Sequence, residues 1–438
     1  MQVILLAAGK SSRLDPLSDK NLLEFVGKTL IEHQIASLKK ANLNEVVVVC
    51  SENNKEIILN LVSEEKNIHV VEQKNLEEGM KGGVMAASKV ITSQEVLIMN
   101  GNDIFEENLF QQVIKTAEKK DINGVIVGKE VQKYFPGGYL QLDEKGFIID
   151  IIEKPGEGNE PSKLINLVCH LYKNFPTFLE YLINAKSLKD DKYEVAIDDY
   201  IKKGGAKIEV QKYIGKWHTI KYPWHILGLM NHFLELQKPC IDKSAEIAKT
   251  AVVEGNVVIG KNVKILHNAM VKGPAYIGEG TIIANNSLVR GSMLGKNCVV
   301  GYGTEVTRSY LNHDVWMHTN YIGDSIIDSN VSFGAGTVLG NLRFDEAEIK
   351  VNIKTERVST GQNKFGAIIG SGCRFGINSS TNPGVKIGQN SFIGGGVLIE
   401  KDVEAQKIVL LDQKLKIMDN ERVVSMEDRA EMKTKIKK

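Results

Sequence analysis

From Ile241 onward the chain repeats every six residues. Ile241, Ile247, Val253, Ile259, Ile265, Val271, Ile277, Ile283 and Val289 are evenly spaced, and every one is Ile or Val. The register slips by one near Leu294, resumes around Ile322, and returns as Ile369, Phe375, Thr381, Ile387, Ile393 and Ile399. A helix of period 3.6 or a strand of period 2 cannot keep a lone six-spaced aliphatic facing inward over so many units. A parallel β-helix can: each hexad is one short side, and stacked coils bury the aliphatic column. Most of the 40 glycines also fall in this half. The repeat predicts a β-helix over residues 241–403. The tail over 404–438 leaves the pattern, and its last stretch, MEDRAEMKTKIKK, reads as a solvated helix or frayed end.

Up to about residue 225 apolar runs alternate with helical segments. Candidate strands are 3–8, 45–50, 67–71, 95–100, 124–128, 147–153 and 164–172. Between them KTLIEHQIASLKKA puts Leu30, Ile31, Ile35 and Leu38 on one helical face, and 53–65 and 106–120 behave similarly. This alternation predicts an α/β domain over 1–225 with a doubly wound, mostly parallel sheet, Rossmann-like in outline. Residues 226–240 form a connecting helix stopped by Pro239. Two domains suit a chain of 438 residues. Charge is balanced, 55 basic against 54 acidic residues, so neither nucleic acid nor an anionic membrane is an expected partner. No apolar run approaches bilayer-spanning length, and a strand beginning at residue 2 or 3 leaves no room for a signal peptide. The cysteines (Cys50, Cys169, Cys240, Cys298, Cys373) are scattered and never form a CxxC pair, which fits reduced thiols in a cytoplasm.

Ligands of such sheets bind beyond the carboxyl ends of the strands. Gly9-Lys10-Ser11-Ser12-Arg13 follows the first strand and lies at that rim. It is not a Walker A loop, which needs glycine where Ile4 stands, and G-x-G-x-x-G is absent. That leaves a third kind of phosphate loop or a plain strand-to-helix turn. After strand EVLIMN, Asp103 offers a hard oxygen for magnesium shared with substrate phosphates, although a lone loop Asp is usually a turn residue. Glu153-Lys154 pairs an acceptor for sugar hydroxyls with a cation for phosphate. Lys20 can point back to the same rim, and Gln73 with Gly82-Gly83 can admit a flat base.

In order, LAAGKSSRLDPLSDKNLLEFVGKTLIEHQ, GND, GGYLQLD, EKP and INLVCHLY resemble the signature segments of sugar-1-phosphate nucleotidylyltransferases, over residues 1 to about 230. The resemblance implies that Leu6, Ala7, Ala8, Gly9, Gln73, Gly82, Gly83, Gly138, Glu153 and Asn166 line the nucleotide and sugar-phosphate site. It further implies that Arg13 steadies the leaving pyrophosphate, that Lys20 and Lys154 neutralise the attacking phosphate, and that Asp103 holds Mg2+. Two departures stand out. The expected Gly-Asp is Gly101-Asn102, with the carboxylate one residue late, and the second metal carboxylate of that family is replaced by Thr219 in Trp217-His218-Thr219.

Within the repeats, WMHTNYIGDSIIDSNVSFGAGTVLGN resembles the acetyltransferase half of bifunctional uridylyltransferase/glucosamine-1-phosphate acetyltransferases. GNLRFD, GAIIGSGCRFGIN and NPGVKIG resemble archaeal relatives that carry an acetyltransferase tail. The resemblance implies a left-handed β-helix, a homotrimer and acetyl-CoA as co-substrate. His318 falls on the general base, Arg290 and Tyr321 on sugar-phosphate contacts, and Asn341 on the acetyl-CoA contact. Ser332 and Thr307 stand where that family has Asn and Lys.

The expected function is magnesium-dependent synthesis of an NDP-sugar from NTP and a sugar 1-phosphate, UDP-linked by the resemblance, with amino-sugar acetylation in the β-helix. One alternative makes the β-helix a non-catalytic assembly or allosteric domain. Another, motivated by Asn102 and Thr219, makes the chain a non-enzymatic sugar-nucleotide-binding regulator.

Overall fold

The computed structural model describes residues 1–106, 108–189 and 191–436. In the first half, strands Val96–Asn100, Gln2–Leu6, Val46–Cys50 and Ile68–Glu72 lie side by side in that order, all parallel. Helix Leu30–Lys40 starts from a reciprocal cap, in which Thr29 and Glu32 each satisfy the other's backbone N–H. Its residues Leu30, Ile31, Ile35 and Leu38 are all buried, as their spacing predicts. Strand Leu164–Tyr172 runs antiparallel to Val96–Asn100 and changes the character of the sheet. Gly124–Glu130 and Gly138–Leu142 pair with it antiparallel, and Gly138–Leu142 turns back as Ile148–Glu153. A short turn between neighbouring strands permits only antiparallel pairing, so the sheet is mixed. Strand Ile208–Lys212 closes the edge, parallel to Gly124–Glu130.

The first strand ends at Leu6, so Ala7 and Ala8 lie beyond it, at the rim. Its chain neighbour Val46–Cys50 lies on one side and Val96–Asn100 on the other. This is the switch point of the topology, and a crevice opens there. The segment 106–120 contains helix Asn108–Ala117; its residue 107 lies outside the described residues. Helices Gly79–Ala87, Phe175–Asn184 and Lys192–Lys202 complete the layers. The connecting helix spans His225–Glu235.

The second half is a three-sided parallel β-helix with sheets of eight, nine and eight strands. Ile241 pairs with Ile259 and Ile259 with Ile277, so one coil takes eighteen residues, three hexads. The six-spaced residues from Ile259 to Val289 are almost completely buried in the prism. Ile241, at 52% exposed, is not, because it belongs to the terminal coil with nothing stacked beyond it. The register slips are sides of five residues, from Val289 to Leu294, Val306 to Leu311, Met317 to Ile322 and Ile322 to Ile327, each ending on a buried aliphatic. Corners are turned by residues in the left-handed region, among them Asn262, Asn268, Asn286, Asn330 and Asn378, a conformation that asparagine tolerates better than most residues. Hairpin Lys350–Ile353 with Glu356–Ser359 interrupts the repeats, and a last strand, Ile408–Val409, extends the nine-stranded face past residue 403. Helix Met426–Ile436 in the tail buries none of its residues.

The two halves share a core. Leu14, Leu17, Phe25, Ile220, Trp224 and the connecting helix pack in one cluster with Met293, Tyr310, Ile326, Val351 and Ile368 of the β-helix. Tyr310 donates its hydroxyl to Glu24 O, and His313 Nε2 lies 3.2 Å from Glu24 Oε1.

Candidate active site

The loop after the first strand is held by amides. Asn21 and Asn54 both donate to Ala7 O, at 3.1 and 3.0 Å, and Asn54 also reaches Asp19 Oδ2 at 2.7 Å. Asp19 Oδ1 accepts from the backbone N–H of Asn21, while Ser11, at φ 50°, accepts from Lys20 N. On its outer side the same loop leans on the β-helix: Ser18 N donates to Asp328 Oδ2 at 3.0 Å, and Gln389 donates to Pro16 O at 3.1 Å. The result leaves Gly9, Lys10 and Arg13 exposed at the rim and turns Lys20 inward.

Lys20 Nζ donates to Asn102 Oδ1 at 2.9 Å. Burial pulls its ammonium below the ordinary lysine range, opposed by Asp103 and Asp19. Asn102 in turn donates to Thr219 Oγ1 at 3.0 Å. Asp103, the expected magnesium ligand, is only 4% exposed. Its Oδ1 accepts from Trp217 Nε1 and its Oδ2 from Asn100 Nδ2, each at 3.2 Å, with Thr219 as a further hydrogen-bond partner. Burial raises its pKa and these donors oppose the rise. Strand Asp103–Phe105 pairs with Trp217–Thr219, placing Asp103 opposite Thr219. Lys20 thus meets an amide that leads on to a hydroxyl, and the Asp19 and Asp103 carboxylates are both engaged by internal donors. This set does not fit a magnesium ion held by protein carboxylates. Among the described residues no cluster of three His, Cys, Asp or Glu side chains could hold a metal either.

A cleft of about 280 Å3 is lined by Asn102, Asp103, Gly138, Glu153, Lys154 and Asn166. A smaller one of about 150 Å3, lined by Leu6, Ala8, Gly9, Lys20 and Gln73, shares Asn102 with it. Glu153 and Lys154 form an ion pair at 2.8 Å, and Lys154 sits at φ 48°, which aims consecutive side chains differently from a regular strand. Gly138 is close-packed, since a Cβ there would lie 3.1 Å from Glu153 Oε2. Gln73 spends its amide on Asn75 O and Gly79 O. Gly82 and Gly83 belong to helix Gly79–Ala87 and line neither cleft; Cβ atoms there would collide with Gln73 and Leu6. These glycines set the wall rather than touch the base.

Two contributors carry no motif. Lys221 donates to Pro136 O at 2.6 Å and lies over the Phe135 ring. Burial, then Arg13 and Lys154, lower its pKa to about 8, so three cations stand close together, with Lys154 among the cleft lining. His170 is buried, and burial pulls its imidazole down to about 3. Its Nε2 donates to Asn166 Oδ1 at 2.8 Å while Nδ1 takes the Tyr193 hydroxyl at 3.0 Å. Asn166 is thereby left with its NH2 free to donate. A histidine four residues from a cleft Asn on an otherwise apolar strand was the available signal for His170; Lys221 had none.

In the β-helix, Tyr321 and Asn341 do meet: Asn341 Nδ2 reaches Tyr321 OH at 3.2 Å and Asp324 Oδ2 at 2.5 Å. Arg308 grips Asp324 with two hydrogen bonds, 2.6 and 2.7 Å. Thr307 is fully buried, so the cation on this face is its neighbour Arg308. Arg290 is paired with Glu305. The His318 backbone is fixed by Asn320 Oδ1 and Thr304 Oγ1, and its side chain is exposed. Ser332 lies in register with Trp316 and Arg374, on a different face from Tyr321.

Comparison with known proteins agrees with this division. Residues 2–241 match the nucleotidyl transferase family, 236–358 the GMPPB C-terminal domain, and 366–401 the bacterial transferase hexapeptide repeats. The chain is 36% identical to a bifunctional protein GlmU of Methanococcus aeolicus, over 93% of this chain and 97% of that one. It is 34% identical, over 92% and 98%, to a bifunctional sugar-1-phosphate nucleotidylyltransferase/acetyltransferase of Sulfurisphaera tokodaii. A GlmU of Methanocaldococcus jannaschii is 35% identical over 93% and 97%. The coiled half is accordingly a left-handed hexapeptide β-helix, and the chain belongs to the nucleotidyl transferase family, in the group that joins this domain to a hexapeptide-repeat half.

Proposed function

We propose that the amino-terminal half transfers a nucleotidyl group from NTP to a sugar 1-phosphate, with UTP and a hexosamine phosphate the leading pair. The observation that carries this reading is the company of cations at the switch point: Lys154 lines the larger cleft beside Glu153 and Asn166, Lys20 lines the smaller one, and Arg13 and Lys221 act on them from nearby. The sugar phosphate oxygen attacks the α-phosphorus in line and pyrophosphate leaves. Arg13 steadies the leaving group, Lys20 faces the α-phosphate, and Lys154 with Lys221 neutralises the incoming phosphate. Glu153 accepts from sugar hydroxyls and Asn166 donates to the base or sugar. Relatives of this kind are metal-dependent; here the divalent ion enters as part of the substrate, carried on the triphosphate. Incubating the protein with each NTP, a panel of sugar 1-phosphates and Mg2+ while following pyrophosphate tests this. Release is expected with at least one pair and absent without the sugar.

The relatives named as acetyltransferases, together with the joined Tyr321, Asn341, Asp324 and Arg308, support amino-sugar acetylation from acetyl-CoA, with exposed His318 as base. Its test is thiol release with amino-sugar phosphates, and His318→Ala is expected to lower the rate about 10²–10⁴-fold. If release equals that of the variant, the β-helix is a scaffold. The reading includes a homotrimer packed through the prism faces, which light scattering measures, and a reducing cytoplasm, in keeping with five free thiols. No described helix is long and apolar enough to cross a membrane.

A further inference from the structure

A cavity of about 580 Å3, larger than either catalytic cleft, lies between helices Leu30–Lys40 and His225–Glu235 and strand Asp103–Phe105. Ile104, Phe233 and Leu236 give it apolar walls. His232 also lines it and is 8% exposed, and its ring makes no hydrogen bond among the described residues. The His232 ring stands 4.4 Å from that of His218, whose Nε2 is buried and also without a partner. Burial holds both imidazoles below their ordinary pKa, His218 at about 4, so near neutral pH each carries one N–H and one bare nitrogen. Lys216 stands at the rim, 3.7 Å from Glu235.

We propose that this cavity is an effector site for a flat nitrogen heterocycle of the nucleobase type, packed against Ile104, Phe233 and Leu236 and hydrogen-bonded along its edge to His232, which His218 backs. The volume suits a ligand of one or two rings with a small substituent. An unpaired neutral imidazole at the back of an apolar slot selects a ring with a polar edge, rather than a hydrocarbon or a bare anion.

The same elements reach the catalytic cleft. Trp217 and Thr219 turn their side chains to Asp103 and Asn102, while His218 between them lies against the His232 ring, as alternation along a strand requires. Gln34, on the cavity wall, donates to Gly101 O at 3.2 Å and Asp103 O at 2.6 Å. A ligand that shifts Gln34 or His218 shifts the segment carrying Asn102, and with it Lys20.

The test is calorimetric titration of the full chain with uridine, adenosine and nicotinamide, the last separating a free heterocyclic amide from a nucleoside. At least one is expected to bind with millimolar affinity or better. Ser37→Trp, which fills the cavity from its helix, is expected to abolish that binding and to leave UTP binding unchanged. His232→Phe, which keeps the ring but not its polar edge, is expected to weaken it on the order of 10-fold. The bound probe is expected to change the nucleotidyl-transfer rate on the order of 5-fold in the wild type and not in Ser37→Trp. No binding of any probe at about 10 mM, equal binding to Ser37→Trp, or binding without a rate change overturns the proposal. Binding is read without turnover, so a failure here is distinguishable from a failure of the transferase reading.

Discussion

Lys221 stands in a segment without a motif, two residues after Thr219, yet its ammonium shares a wall with Arg13 and Lys154. Its pKa in the folded protein, about 8, lies below the usual lysine value because burial and two neighbouring cations disfavour the charge. The charge is present below pH 8 and is lost as pH rises through it. The KM for sugar 1-phosphate should therefore climb about 10-fold between pH 7 and 9, the worth of one charge-assisted contact. In Lys221→Gln the KM should be high already at pH 7 and flat across that range. Asn102 gives a second prediction. A carboxylate in its place would pair with Lys20 through one oxygen and put its other oxygen beside Thr219. Asn102→Asp should hold Mn2+ without nucleotide, visible as loss of the free-ion resonance, whereas the wild type should show that loss only when NTP is added.

Strand Leu164–Tyr172 shows how an element can serve both fold and site. Its inward residues build the core, and its one buried imidazole links Asn166 to Tyr193 and then Tyr172. His170→Leu would strand the Asn166 and Tyr193 partners, and should lower stability by about 1–3 kcal/mol in urea unfolding while raising the KM. This strand was legible from its apolar run, to the residue. The helix Phe175–Asn184 carries its own signals in the Asn174 cap, Pro176 and the inward-spaced Phe178 and Leu182. Gly82 and Gly83 line neither cleft; Gln73 and Leu6 pack where their side chains would stand. Spacing tells which residues are inward; it does not tell what they meet. The metal position shows this most clearly. Sequence registers Asp103 as the nearest carboxylate, but Trp217, which binds it together with neighbouring Asn100, comes from a distant point along the chain.

At the scale of the whole molecule the β-helix also holds part of the amino-terminal half in place. Asp328 and Gln389, about 310 and 373 residues away in sequence, hold Ser18 and Pro16 of the loop that presents Arg13 and Lys20. Asp328→Ala should raise the KM for NTP about 3- to 10-fold with kcat less affected, because it loosens the loop without touching a reacting group. Steady-state kinetics of that variant would reveal a loop independent of the β-helix as an unchanged KM. The division into two halves was legible from the change of period alone, but this contact joins residues that no pattern relates. The central claim is that the cleft transfers a nucleotidyl group directly between two phosphates, with cations gathered around the reacting atoms. Its most direct test is turnover of an NTP of defined configuration at a thio-substituted α-phosphorus with the preferred sugar 1-phosphate, the product configuration being read by phosphorus NMR. A single in-line displacement gives a sugar nucleotide inverted at phosphorus. Retention of configuration, or no sugar nucleotide from any NTP and sugar 1-phosphate pair, would contradict the account.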